Sequence, residues 1–497
     1  MRFAMGTAFE TDVQAFPGFY GCRHVDGTCG FAPQMYTLQA HPYHGWGMAV
    51  APLFTRRGAE PFAGYFWCVY TLSFSRPSAS PLARWMFLLS LAYPVFFFAQ
   101  TVPVAFTASH IHSVRLHPEG APLGGPFMEL NGEARLILKY DDLSEDWPDH
   151  EWTMVHCTSD WSAFSDLTHW DFMEGWPDAL DNVENSFGGE VPYAHVRSTI
   201  PSRDLRPTRS GNYLLIVHEA GNADNVVLMR RFVVFERLAD VTVSHRRPLE
   251  AGKMATHQRL EATVELPPGH RWNNPLRDIE LTVIQNGAWP MAAHHVAASQ
   301  VRGDVVVFNQ DPALTFSGGD RWRSTDLKSL AYVAQGIERI VDKRQSGQAV
   351  EVRLNRDVSR RFKMLGSRPD LKGSFTVYND RFDDVELTSD YLDVQFSLDH
   401  KDFGAVPEVY VFGALSGWAI DPKFKMTFDP DQNAFFLNAQ LKQGWYDYRY
   451  VANLPSELDF SFEGAHSGTA NRYYVLVHAP ATDGTDRVIG FTASDRD

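Results

Sequence analysis

His156 and Cys157 are adjacent, and an imidazole beside a thiol is the pairing from which a thiolate nucleophile is made. They close an alternating stretch, Trp152 to Cys157, that reads as a strand. On a strand, neighbouring side chains leave opposite faces. The spacing therefore predicts a buried structural thiol at Cys157. The same geometry keeps His294 and His295 from easily chelating one ion, and they read as solvated surface. Asp429, Asp431 and Asn433 open like a calcium loop. Ala434 stands at the sixth place, which needs Gly, and Gln440 at the twelfth, which needs Glu, so a hairpin turn is expected instead. Acids adjoin at Asp141-Asp142 and Asp383-Asp384. Glycoside hydrolysis needs two carboxyls at a set separation in space, which adjacency in sequence does not supply. Gly188-Gly189 and Gly318-Gly319 lack the following Lys of a phosphate loop. His-Glu-x-x-His, Cys-x-x-Cys and Gly-x-Ser-x-Gly are all missing. No catalytic, metal-binding or cofactor-binding residue is expected, no cofactor, and no enzymatic activity.

The elements that would carry these residues are short and alternating. Ala134 to Tyr140 places Ala134, Leu136, Leu138 and Tyr140 on one face. Asn212 to His218 and Arg231 to Phe235 are apolar on both faces, as central strands are. Similar runs recur at 281–284, 305–308, 375–378, 391–398, 409–412, 446–450 and 473–477, with turn chemistry at Arg209-Ser-Gly-Asn212 and Ser317-Gly-Gly-Asp320. Leu327, Leu330, Ala334, Ile337 and Val341 have helical spacing, but Gly336 and Tyr332-Val333 oppose a helix, and the segment is ambiguous. The fold class expected is all-β, with tandem β-sandwich domains of immunoglobulin-like or early-set type. Soft boundaries divide it into 110–238, 239–387 and a C-terminal early-set-like sandwich at 388–497.

The chain has 497 residues, 45 Lys+Arg against 60 Asp+Glu, and a formal net charge of −15. That balance disfavours a nucleic-acid surface, which displaces counterions with clustered cations. The front differs from the rest. Residues 1–85 hold four acids and six basic residues, all Arg, with Cys22, Cys29 and Cys68. Trp85 to Ala99 is an apolar run of signal-peptide length after Arg84, too short to span a bilayer. Residues 84–99 are expected to be a signal peptide cleaved before Gln100. Residues 1–83 are then expected to be an upstream extension of the reading frame without an ordered fold. The other reading is a real front domain followed by a buried apolar element. With the front removed, Cys157 is the single cysteine, which fits an exported, disulfide-free protein of the periplasm.

Val409 to Trp418 reads as a strand, a glycine turn and an exposed Trp, and Lys442 to Tyr450 follows with Trp445. This resembles the early-set sandwiches of glycogen- and starch-binding modules, in which aromatic faces stack on sugars. The likeness lies in the scaffold, and the reading preferred here is that Trp418 and Trp445 pack against their own sandwich.

An ordered series of fragments is more specific. It begins with Leu138-Lys-Tyr-Asp-Asp-Leu143, His156-Cys-Thr-Ser-Asp-Trp161, Gly175, Asn185-Ser-Phe187 and Tyr193-Ala-His195. It continues through Ser210-Gly-Asn-Tyr-Leu-Leu215, Arg230-Arg-Phe-Val-Val234, His257-Gln258, Asn274-Pro275 and Gln285-Asn-Gly-Ala-Trp289. It ends with Gly318-Gly-Asp-Arg-Trp-Arg323 and Leu441-Lys-Gln-Gly-Trp-Tyr-Asp-Tyr448. The series resembles the plug protein family of the type IX secretion system of Bacteroidota, from about residue 112 to the C-terminus. The resemblance implies a periplasmic, non-enzymatic β-sandwich protein. Its partner would be the outer-membrane translocon barrel, whose channel it would close. It implies no nucleic-acid partner and no stable membrane insertion once the signal is removed. Two fragments depart from the family: 318–323 stands where an Asn-Glu-Phe-Arg-like run is usual, and Ala288 where an Arg is usual. With the C-terminal aromatics, these loops make Trp289, Arg321, Trp322, Trp418 and Trp445 the candidate contacts for a partner or a glycan. A periplasmic carbohydrate-binding protein is the alternative function, and an acidic-pair glycosidase a more distant one.

Overall fold

The computed structural model describes residues 102–496 apart from 270, 364–368, 402–405 and 455–457. The expected signal peptide and upstream extension lie outside the described residues. Strands dominate the remainder, arranged as three β-sandwiches.

The first sandwich takes strands from Ala105 to Phe235. One sheet runs Ala105–Thr107, Asn222–Phe235, Gly211–Glu219, His150–Cys157, Asp178–Ala179. The other runs Ile111–Pro118, Leu136–Asp142, Ala194–Ile200, Val183–Asn185. Between them pack Leu136, Leu138, Tyr140, Trp152, Tyr213, Leu215 and Phe232, the inward members of alternating strands. Burying each such side chain contributes roughly 1.5–3 kcal/mol. Gly211–Glu219 is buried on both faces, because Leu214 points the other way into a second core. That core joins Leu214, Val233 and Phe235 to Ile284, Trp289, Tyr474, Leu476 and Val488 of the second sandwich.

The second sandwich pairs Glu280–Gln285 with Asn471–Pro480, and Asn471–Pro480 with Asp486–Arg496. Facing them are Asp240–Arg246, His257–Glu265 and Val305–Phe308. The third sandwich lies in sequence between these halves. Its sheets hold Arg323–Asp326 on Gly444–Asn453, and Val350–Leu354 on Tyr391–Asp399 on Ala434–Lys442. Val352, Leu392, Val394, Phe396, Tyr446, Tyr448 and Tyr450 form its core. Position 388 lies between two paired strands, Val350–Leu354 and Tyr391–Asp399. A cut there severs the third sandwich, and the segment 388–497 contributes its last two strands to the second. Strand pairing at long sequence separation leaves no compositional mark at the boundary. The ambiguous stretch resolves as a strand, Ile337–Val341, with Leu327 and Ile337 in the third core.

Candidate functional site

The first and third sandwiches are joined by buried charge. Strand Leu136–Asp142 carries Asp141, and Ala194–Ile200 beside it carries His195. His195 Nδ1 lies 2.6 Å from Asp141 Oδ1. From the third sandwich, Lys442 Nζ and the Tyr391 hydroxyl each donate to Asp141 Oδ2 at 2.6 Å. The Lys442 ammonium also lies 4.1 Å from the centre of the Tyr193 ring and donates to the Glu386 carbonyl. At the edge of this cluster, Glu386 accepts from Arg115 at 2.6 Å and from Lys139 at 2.7 Å.

Electrostatics follows from that geometry. Burial alone would raise the Asp141 carboxyl, but Lys442 and His195 bring it below the ordinary carboxylate range. Burial lowers the Lys442 ammonium, against the pull of Asp141. Burial would likewise raise Glu386, yet Arg115 and Lys139 hold it down at about 2. An Asp–His–Tyr–Lys set could serve proton transfer if a substrate reached it. Here Asp141, Tyr391 and Lys442 are almost wholly covered, and neither cavity described below is lined by Asp141, His195, Tyr391 or Lys442. The arrangement is a polar lock between sandwiches.

Two cavities adjoin the lock. One of about 270 Å³ lies between the first and third sandwiches, lined by Ile111, Ser113, Arg230, Phe375, Lys423 and Tyr446 among others. One of about 100 Å³ lies where all three meet, with Val114, Arg230, Gly287, Trp289, Phe375 and Trp418 in its wall. Arg230 and Lys423 there are engaged by residues 106–108. Arg230 donates to Phe106 O and to Thr107 Oγ1, and Lys423 Nζ to Ala108 O. Burial lowers Arg230 to about 10 and lowers Lys423 as well. Among the described residues, no group of three or more His, Cys, Asp or Glu could hold a metal ion.

The candidate contact residues are partly brought together, though not as exposed surface. Trp289 is 5% exposed, packed edge-on against Trp161 and tilted against Phe127. Trp322 is 3% exposed, with the Arg449 guanidinium 4.1 Å from its ring centre. Trp418 follows the left-handed Gly417, itself has φ +59°, and sits partly buried against Trp322 and Phe412. The Trp322 and Trp418 ring centres are 5.7 Å apart. Trp418 looks exposed in sequence, yet the turn folds its ring inward onto aromatic neighbours, as the packed reading expects. Protein likewise covers the rings of Trp289 and Trp322. Trp445 is partly buried on strand Gly444–Asn453, and its Nε1 donates to Asp447 Oδ1 at 3.0 Å. Arg321 is partly exposed; its backbone N–H is held by Asp320 and its carbonyl by Arg360. Cys157 is buried in the core between the first two sandwiches, and burial pushes its thiol up to about 12. His295 is exposed and 2.6 Å from Glu280, whereas His294 is half-buried rather than solvated, and burial lowers its imidazole to about 4. Asp429 to Asn433 forms a hairpin turn, with the Asp429 carboxylate accepting from Asp431 N and Gln432 N.

Sequence reasoning passed over Asp141, His195, Tyr391 and Lys442 as a group. Their separations of 54, 250 and 301 residues from Asp141 carry no local signal.

A crystal structure at 2.30 Å of a hypothetical protein from Parabacteroides merdae ATCC 43184 superposes with a TM-score of 0.73 at 23% identity, covering 78% of this chain and 98% of that one. That likeness concerns the fold alone. No curated protein matches the chain. The family described as type 9 secretion system plug protein 1st domain matches residues 111–236, which span most of the first sandwich and include Asp141 and His195. No helix among the described residues is long and apolar enough to cross a membrane. Residues 111–236, within the first sandwich, are thus what this chain shares with the type 9 secretion system plug protein family.

Proposed function

We propose that the protein is the plug of a type IX translocon, lodged in the periplasm against the outer-membrane barrel and closing its channel by reversible, non-covalent binding. The match of residues 111–236 to the plug first domain carries this reading. The joints between sandwiches support it. An apolar core ties the first to the second, and the Asp141–Lys442 lock ties the first to the third. A body that obstructs a wide aqueous pore must resist being parted, and buried joints of this kind provide that. Surface fit alone performs the task, with no reacting group. The net charge of −15 favours a basic rim on the barrel and association that weakens as salt rises.

The test uses proteoliposomes holding the purified barrel. Adding the full chain to the periplasmic face should suppress leakage of a small solute, and the chain should co-purify with the barrel from membranes. Unchanged leakage together with no co-purification would overturn the reading.

A further inference from the structure

The exposed apolar surface is unevenly spread. Phe164, Trp170, Trp176, Val183 and Phe187 are all exposed and all fall within 24 residues of the first sandwich. Trp170 and Trp176 are 66% and 65% exposed. Their ring centres are 5.4 Å apart with planes at 89°, and the His169 ring packs against both, 4.6 Å from Trp170 and 5.2 Å from Trp176. His169 Nε2 is fixed 2.8 Å from Gly175 O, and Asp171 accepts from the Thr168 backbone and hydroxyl, so the short helix His169–Phe172 holds its rings in place. The corner is built, and among the described residues nothing covers the two tryptophans.

Charge around it is predominantly negative. From Tyr140 to Val196 the sequence has fourteen acids and no Lys or Arg. Seven of those acids lie between Phe164 and Glu190. The neighbouring strand Leu205–Pro207 and its flanks bring Arg203, Arg206 and Arg209, together with Asp204. Arg206 is paired with Glu174, and Arg209 with Asp483. Arg197, whose backbone N–H donates to Asn182 O, adds a fourth arginine, so eight acids stand against four arginines. Asp166, Asp181 and Glu184 make no ion pair among the described residues and are exposed.

We propose that the corner of His169, Trp170 and Trp176 is a docking site for an arginine-bearing segment of a protein partner. A guanidinium stacks on an indole face and is attracted by its quadrupole, and the surrounding carboxylates add long-range attraction. A neutral sugar would use the rings but gain nothing from the charge. In the plug reading, on which the partner's identity rests, the segment belongs to the barrel's periplasmic rim.

The experiment measures two things on the full chain, wild type and a Trp170→Ala/Trp176→Ala variant, after circular dichroism confirms that both are folded. The first is the anisotropy of a labelled peptide of alternating Arg and Gly, with a Glu–Gly peptide as control. The wild type should bind the Arg peptide, more weakly at high salt, and the variant about tenfold more weakly still. The second is binding to the immobilised purified barrel, where the variant should lose a similar factor. Equal Arg-peptide binding by wild type and variant overturns the docking site, as does no binding by either. Peptide binding that depends on the tryptophans, with no barrel binding by the wild type, supports the site and overturns the plug reading. Barrel binding equal in both proteins overturns the site on the barrel and leaves the plug reading standing.

Discussion

The Lys442 ammonium lies 2.6 Å from Oδ2 of Asp141, although 301 residues separate them and water reaches neither side chain. A charge buried this deeply is tolerable only because its partner is buried with it. Lys442→Met should therefore cost about 3–5 kcal/mol, because the buried Asp141 loses its ammonium partner and keeps only His195 and Tyr391. Asp141→Asn should cost a similar amount. The double variant should recover part of the loss, and the coupling in a double-mutant cycle of urea denaturation measures the lock. Additive losses would mean that the two groups act independently.

Acid should open the same joint. Glu386 titrates at about 2 in the folded protein, against an ordinary value of 4.5. Its folded value is depressed, so the stability it contributes is present above pH 4.5 and is lost as pH falls towards 2. The ceiling is about 3 kcal/mol. Glu386→Gln should lower stability at neutral pH, where Arg115 and Lys139 lose their anion, and flatten the acid limb of the stability curve. Asp141, also depressed, sustains what acid sensitivity remains.

The strands were legible because alternation and turn residues are local signals. Tyr446, Tyr448 and Tyr450 announce an inward face, and the structure packs all three in one core. Which strands pair was not legible, because Glu280–Gln285 finds its neighbour at Asn471–Pro480 across most of the third sandwich. The neighbours of the tryptophans were not legible for a related reason. A Trp after a glycine turn looks exposed in sequence, but Trp418 folds onto Trp322, almost a hundred residues upstream. The lock was half visible. The fragments that carry the family resemblance, 138–143, 193–195 and 441–448, contain Lys139, Asp141, Tyr193, His195 and Lys442. Nothing in their spacing says that they meet.

Cys157 should be inert while the protein is folded. Its thiol titrates at about 12, and it is sealed between two sandwiches. The thiolate is the reactive form, so native labelling by a disulfide reagent should be the same for the wild type and Cys157→Ala. In denaturant the variant should show one thiol fewer. A native difference would mean that the joint between the first two sandwiches opens on the labelling timescale.

Gly373 tests whether Trp418 and Trp322 are structural. Its φ is +86°, and a Cβ there would come within 2.5 Å of Trp418 and 2.6 Å of Trp322. Both rings are confined, Trp322 under the Arg449 guanidinium and Trp418 against Phe412, so neither can swing away freely. Gly373→Ala should thus destabilise by about 1–3 kcal/mol through overpacking and a left-handed backbone. Trp418→Ala removes the same wedge from the other side and should cost about 3 kcal/mol or more. If the rings instead serve a sugar, Trp418→Ala should leave thermal stability near the wild type and abolish glycan binding. Melting temperature and glycan binding measured on the same two variants therefore separate a packed wedge from a binding platform.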